Sequence, residues 1–173
     1  MGKIIVVDVK ECMACRTCEI ACALAHSESK TLEEAMKKQE ARINVEGTLE
    51  LWAPILCRHC EDAPCVKICP TGAINRQDPN GPVLIEQDLC IGCKFCLAVC
   101  PFGVIGPSDD GRTVIKCDLC LERLEMGQEP ACVASCPMGA LKLVEAEEYV
   151  RQKRAEAAVE LAASVQKGDM KEE

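Results

Sequence analysis

The chain has 173 residues, enough for one ordinary domain or two small ones, and a formal net charge of −8. Its 49 % hydrophobic content includes sixteen Cys, while Trp52, Tyr149, Phe95 and Phe102 are the only aromatic residues. No basic excess exists to neutralise phosphates, which excludes a nucleic-acid or anionic-membrane partner, and no apolar run approaches the roughly 20 residues of a spanning helix.

Met1–Cys12 reads MGKIIVVDVKEC, without the apolar stretch and cleavage site of a signal peptide. There is no twin-arginine pair, and Val6 replaces the Ser or Thr of a myristoylation signal. The expected location is cytoplasmic, where disulfides do not persist, so the cysteines point to metal.

The cysteines form four groups of four: Cys12, Cys15, Cys18, Cys22; Cys57, Cys60, Cys65, Cys69; Cys90, Cys93, Cys96, Cys100; and Cys117, Cys120, Cys132, Cys136. Groups one and three read C-x2-C-x2-C-x3-C; group two widens the middle gap with EDAP and group four with LERLEMGQEPA. Each group follows a β-rich run: Lys3–Val9, Leu49–Leu56, Val83–Glu86 and Thr113–Lys116. A helical turn should carry the third and fourth Cys of each group. Groups two to four then leave through CPTGAI, CPFGVI and CPMGAL, where Pro stops the turn and Gly permits φ > 0 before a returning strand. Group one lacks this exit and continues as CALAHSESK. The unit of strand, Cys loop, helical turn and strand therefore repeats four times in degenerate form.

Between groups one and two, the capping box Thr31-Leu-Glu-Glu34 predicts a helix through about Ala41. Ile43–Trp52 alternates around Glu46-Gly47-Thr48 and predicts a hairpin. Glu145–Gln166 should be helical, with a thin apolar stripe of Val150, Ala157, Leu161 and Val165; such a helix should pack at the periphery of its own domain. The final KGDMKEE should fray.

A cubane [4Fe–4S] cluster needs one thiolate at each of four irons. Three Cys at two-residue intervals wrap one loop around three corners, and the fourth corner takes a Cys from elsewhere. In two-cluster ferredoxins the fourth Cys of a C-x2-C-x2-C-x3-C-P run ligates the other cluster. Sixteen thiolates suffice for four clusters. Structural zinc uses two C-x2-C pairs and has no need of a third Cys, so a zinc-binding interaction module is the weaker alternative. The exchange rule places Cys69 with Cys90, Cys93 and Cys96, and Cys100 with Cys57, Cys60 and Cys65. By elimination Cys136 joins Cys12, Cys15 and Cys18, and Cys22 joins Cys117, Cys120 and Cys132. Spacing alone also allows groups one with two and three with four.

No nucleophile–base pair, carboxylate dyad or GxGxxG loop is present, so no catalytic residue is expected. His59 lies inside group two, but the thiolate set is complete without it, which leaves it beside a cluster or at the surface. Arg16, Arg58, Lys67, Lys94 and Lys116 lie in or beside the Cys loops, as solvated surface or as charges that tune a potential. His26 lies in a polar stretch and is assigned no role.

These motifs resemble the four-cluster ferredoxin-like iron–sulfur subunits of dimethyl sulfoxide reductase, formate dehydrogenase and formate hydrogenlyase type complexes. The resemblance spans residues 3 to about 145 and rests on all four groups, including CRHCEDAPC, CIGCKFC and KCDLC. It implies four [4Fe–4S] clusters with outer groups paired and inner groups paired. Within the family, CRTCEIACALAHSESKTLEEA is similar to the iron–sulfur electron carrier of carbon monoxide dehydrogenase, which passes electrons to an acceptor such as a hydrogenase or flavoprotein. Small iron–sulfur subunits of tungsten aldehyde oxidoreductases, of formate dehydrogenases and of hydrogenase complexes are alternatives, with a tungsten or molybdenum oxidoreductase as the partner.

The expected fold is α+β, with two intertwined ferredoxin-like halves around four clusters and a C-terminal helix. Residues 1–145 form the four-cluster domain: an inner half of about 53–112, an outer half of about 3–25 with 113–145, and an insertion, 26–52. Residues 146–173 form the helix and tail. The expected function is electron transfer without catalysis. Four oxidised clusters with their thiolates would add roughly −8 to the charge, which suggests basic residues on the partner.

Overall fold

Each run that leads into a cysteine group contains a strand, and each strand finds an antiparallel partner that the linear pattern does not reveal. The computed structural model describes residues 2–38, 41–48 and 51–169. Strands β1 (Lys3–Val7), β3 (Trp52–Leu56), β5 (Leu84–Ile85) and β7 (Val114–Ile115) precede the four groups. Strands β4 (Ile74–Asn75), β6 (Gly106–Pro107) and β8 (Leu141–Glu145) follow groups two, three and four, and β2 (Ile43–Gly47) lies between groups one and two.

The pairing is cyclic. β4 pairs with β5 and β6 with β7, so each outgoing strand meets the strand leading into the next group. β8 returns to β1, with Lys3 opposite Glu145 and Val7 opposite Leu141, and this joins the two ends of the repeat. Group one has no returning strand of its own, and β2 supplies one by pairing with β3. The hairpin therefore reaches Leu56 and turns later than Glu46-Gly47-Thr48, with Thr48 N–H donating to Leu51 O at 2.9 Å. Leu49 and Glu50, inside that turn, lie outside the described residues.

The exits follow from Cys-Pro-x-Gly. Gly72, Gly103 and Gly139 have φ of 69°, 62° and 62°. Their N–H groups donate to the carbonyls of Cys69, Cys100 and Cys136 at 3.4, 3.2 and 3.2 Å, closing three four-residue turns that a side chain at Gly would strain.

Helices α1 (Thr17–His26), α3 (Pro64–Ile68), α4 (Phe95–Val99) and α6 (Ala131–Ala134) carry the third Cys of their groups, with a short α5 (Leu121–Glu125) inside group four. α1 runs through its group's fourth Cys as well, whereas Cys69, Cys100 and Cys136 stand just beyond α3, α4 and α6. α1 buries Cys18, Cys22 and Ala23, one face at helical spacing. After it, α2 (Leu32–Lys38) starts at the capping box: Thr31 Oγ1 accepts from Glu34 N–H at 3.4 Å, while the Glu34 carboxylate accepts from Ser29 N–H at 2.8 Å. Gln39 and Glu40, where the expected helix would continue, lie outside the described residues.

Two buried cores result. Ile5, Ile43, Val45, Leu56, Val133 and Leu141 pack with Cys18, Cys22, Cys117 and Cys132. Ile74, Val83, Ile105 and Val114 pack with Cys96, flanked by Cys60, Cys65, Cys69, Cys90 and Cys100. The chain crosses between them near the expected half boundaries: Leu56, counted with the inner half, packs in the outer core, and Val114, counted with the outer half, packs in the inner one.

α7 (Ala146–Asp169) departs from its expected packing. Ala146 is buried and Tyr149 half-buried, but every residue from 150 to 164 is exposed, with Val159 and Leu161 at 70 % and 68 %. A stripe of Val150, Ala157 and Leu161 offers too little apolar area to hold the helix down. The Val165 side chain and residues 170–173 of the tail lie outside the described residues. Among the described residues no helix is long and apolar enough to cross a membrane.

Candidate functional site

The backbone repeats itself at the cysteine loops. The residue before the second Cys is left-handed in every group: Ala14 (φ 57°), His59 (47°), Gly92 (64°) and Leu119 (63°). This conformation costs a non-glycine residue roughly 1–2 kcal/mol, so a common requirement imposes it. It turns peptide N–H groups toward sulfur: His59 N–H donates to Cys57 Sγ and Leu119 N–H to Cys117 Sγ, both at 3.4 Å. Gly92 is also needed for space, because a Cβ there would stand 2.0 Å from Arg112 O. Sequence reasoning passed over this position, although Gly92 was its one visible mark.

The route to the third Cys differs with the gap. In the two narrow groups a left-handed cation, Arg16 (φ 59°) or Lys94 (63°), swings the chain into α1 or α4. In the two wide groups proline starts the helix, Pro64 as a first residue of α3 and Pro130 as the cap of α6.

Three small cavities lie inside these loops. One is lined by Cys12, Cys15, Cys18 and Cys136. A second is lined by Cys69, Cys90, Cys93 and Cys96. The third is lined by Cys57, Cys60, Cys65 and Cys100. Each therefore gathers three cysteines of one group and the last cysteine of another. The remaining four, Cys22, Cys117, Cys120 and Cys132, are all buried, and the Cys132 thiol feels the charges of the other three.

Burial pushes the thiols of Cys18 and Cys117 up to about 11 and about 12, and that of Cys132 higher still, where like charges of neighbouring thiols add to the effect. Buried thiols gathered in this way are stable as thiolates only with a cation among them, so the donor sets fit thiolate-ligated iron. At the surface, Cys15 is lowered by the Thr17 hydroxyl. Cys69 is raised by burial but lowered further by donors around Thr71 and Ile74.

The polar residues divide. Arg58 and Lys94 are exposed, and Lys67 pairs with Asp62 at the surface. Arg16 is anchored: it bonds Glu19 at 3.2 Å and Val45 O at 3.1 Å and lies 5.9 Å over the Trp52 ring. His59 accepts Val83 N–H at Nδ1 (3.1 Å), and burial with the nearby Lys116 charge holds its pKa down to about 3. Lys116 is buried.

His26, given no role from the sequence, sits in a network beside Cys22. Its Nδ1 lies 2.8 Å from Cys22 O and its Nε2 3.2 Å from Asp118, which Arg42 Nη1 bonds at 2.6 Å. Burial works against the imidazolium, but the bonds to Asp118 and Cys22 carry its pKa up to about 9. Asp118 is opposed by burial and still driven down by His26 and Arg42. Arg42 N–H donates to Cys22 Sγ at 3.3 Å. The partners are up to 92 residues apart, so no local pattern signals the network.

Cysteine-lined loops of this construction on an α+β frame of helices and two-stranded sheets define an iron–sulfur protein. Residues 49–146 match the 4Fe-4S dicluster domain family, and the chain belongs to that family. It is 41 % identical over 157 residues to YsaA of Escherichia coli, named as an electron transport protein, covering 88 % of this chain and 96 % of YsaA. It is 40 % identical over 161 residues to the electron transport protein HydN of the same species, covering 84 % and 89 %. The thiosulfate reductase electron transfer subunit PhsB of Salmonella typhi is 38 % identical over 138 residues, covering 78 % and 71 %. With these relatives, the chain is an iron–sulfur electron-transfer protein rather than an enzyme with its own substrate.

Proposed function

We propose that the chain carries single electrons along four [4Fe–4S] clusters, held by Cys12, Cys15, Cys18 and Cys136; by Cys22, Cys117, Cys120 and Cys132; by Cys57, Cys60, Cys65 and Cys100; and by Cys69, Cys90, Cys93 and Cys96. The observation that carries this reading is the set of three cavities, each lined by four cysteines from two groups. When bound, each cluster supplies a one-electron couple. The chain supplies the thiolates, the peptide N–H groups aimed at sulfur and the order of the sites.

That order is linear. The charge on Cys18 acts on Cys132 and that on Cys57 acts on Cys117, while Cys60, Cys65 and Cys100 share the inner core with Cys69, Cys90 and Cys96. Cys15 and Cys93 are the two exposed cysteines, and they belong to the first and last sets. Electrons enter and leave there.

The partner we favour is carbon monoxide dehydrogenase, with a hydrogenase or flavoprotein as acceptor. Within the segment that carries that resemblance Ile20 and Leu32 are exposed, and exposed Met13, just before it, lines the first cavity, where a donor would seat. Anaerobically purified protein should contain about sixteen iron and sixteen acid-labile sulfide per chain; zinc in their place would overturn the reading. Cys69→Ser should remove or convert the cluster of Cys90, Cys93 and Cys96, and loss confined to the Cys57 site would overturn the ligand sets. Carbon monoxide dehydrogenase with carbon monoxide should bleach the visible absorbance of this protein at a catalytic ratio. Bleaching only by a formate, aldehyde or hydrogen oxidising system would replace the partner.

A further inference from the structure

Among the described residues Lys116 is the only charged residue that is buried, at 3 % exposure. Its ammonium donates to Val83 O, from the inner core, and to Cys117 O at 2.9 Å, from the outer core. None of the ion pairs among the described residues includes it. Two carbonyls satisfy some of its hydrogen-bonding capacity, but an ammonium withdrawn from water also calls for opposite charge nearby. One source lies within reach. The Lys116 charge reaches the Cys65 thiol and the His59 ring, and Cys117 is its neighbour in the chain.

This is also where the two halves meet. Cys57 lines the third cavity with Cys60, Cys65 and Cys100, yet it packs against the outer core, and its charge acts on Cys117. An electron passing from one half to the other crosses this seam.

We propose that Lys116 is the fixed counter-cation of the seam: it raises the potential of the cluster held by Cys57, Cys60, Cys65 and Cys100, so that the crossing between halves meets a site poised to accept. The inference rests on the ligand sets proposed above. One cluster gives up the electron that the next gains; no bond changes, and the fixed charge removes the need for a proton to follow. Lys116 acts through the clusters as a positioning charge, not as a catalytic residue.

The test uses the full chain, purified anaerobically, with iron and sulfide counted before each redox titration followed by electron paramagnetic resonance. Lys116→Met should keep the iron and make reduction of one cluster about tenfold less favourable, a midpoint about 59 mV more negative for one electron. The clusters at Cys15 and Cys93 should move less, and Lys116→Arg should stay near the native midpoints. If Lys116→Met loses iron, Lys116→Gln, which can still donate to a carbonyl, is judged by the same criterion. A full complement of iron with no cluster's reduction equilibrium changed by more than about twofold, a midpoint shift of about 18 mV, overturns the role of Lys116 alone. Native protein without four clusters overturns the ligand sets instead.

Discussion

The two halves solve one problem with different means. In the outer half, five-residue strands β1 and β8, the ten-residue α1 and the β2–β3 hairpin enclose the cysteines, and five of eight are buried: Cys18, Cys22, Cys117, Cys120 and Cys132. In the inner half the ladders are two residues long, the helices five, and only Cys96 is buried. Apolar burial contributes about 25 cal/mol per Å², and the inner half has less of it to offer. Its loops are closed by whatever binds their thiols. The outer half adds a protein core to the same ligand pattern, which costs water access to sulfur and brings in cations, His26 and Arg42, to offset the charge that is enclosed.

Removal of iron by a chelator should give the largest effect. Backbone amides between residues 57 and 112 should lose protection first and most completely in hydrogen exchange, while the β1–β8 ladder retains some. Equal loss in both halves would mean that the outer core has no independent strength. Next, Leu141→Ala removes a fully buried side chain where β8 meets the outer core and should destabilise the holoprotein by about 3 kcal/mol in denaturant titration. A cost well under 1 kcal/mol would show that the clusters, not the apolar core, hold this half too. Asp118→Asn leaves His26 and Arg42 without their shared carboxylate and should cost about 1–2 kcal/mol, the lower end because a third of that side chain faces water. Lys153→Ala breaks an exposed contact with Glu156 on α7 and should leave the denaturant midpoint unchanged. A lower midpoint would mean that α7 supports one of the halves.

Much of the molecule was legible because it is local. The spacing of the cysteines, the runs that lead into them and the Cys-Pro-x-Gly exits each depend on a few consecutive residues, and the strands stand where those runs are. The hairpin turn was read too early because Gly47 looked like a turn residue, whereas it ends β2 and packs against the Trp52 side of β3. The left-handed residue before each second Cys escaped notice because three of the four are Ala, His and Leu, which carry no turn signal; the requirement is imposed by the loop, not by the residue.

From the sequence by itself came the number of thiols, their grouping in fours and the periodic unit, since the local chain geometry around a metal leaves its imprint in spacing. Tertiary structure alone decided the rest: that β8 returns to β1, that Leu56 and Val114 cross between the cores, that α7 stands away, and that His26 and Lys116 are enclosed rather than solvated. The physical reason is that burial of a polar side chain is a property of its surroundings. Asp118, 92 residues from His26, and Val83, 33 from Lys116, supply those surroundings only after the strands have closed their ring.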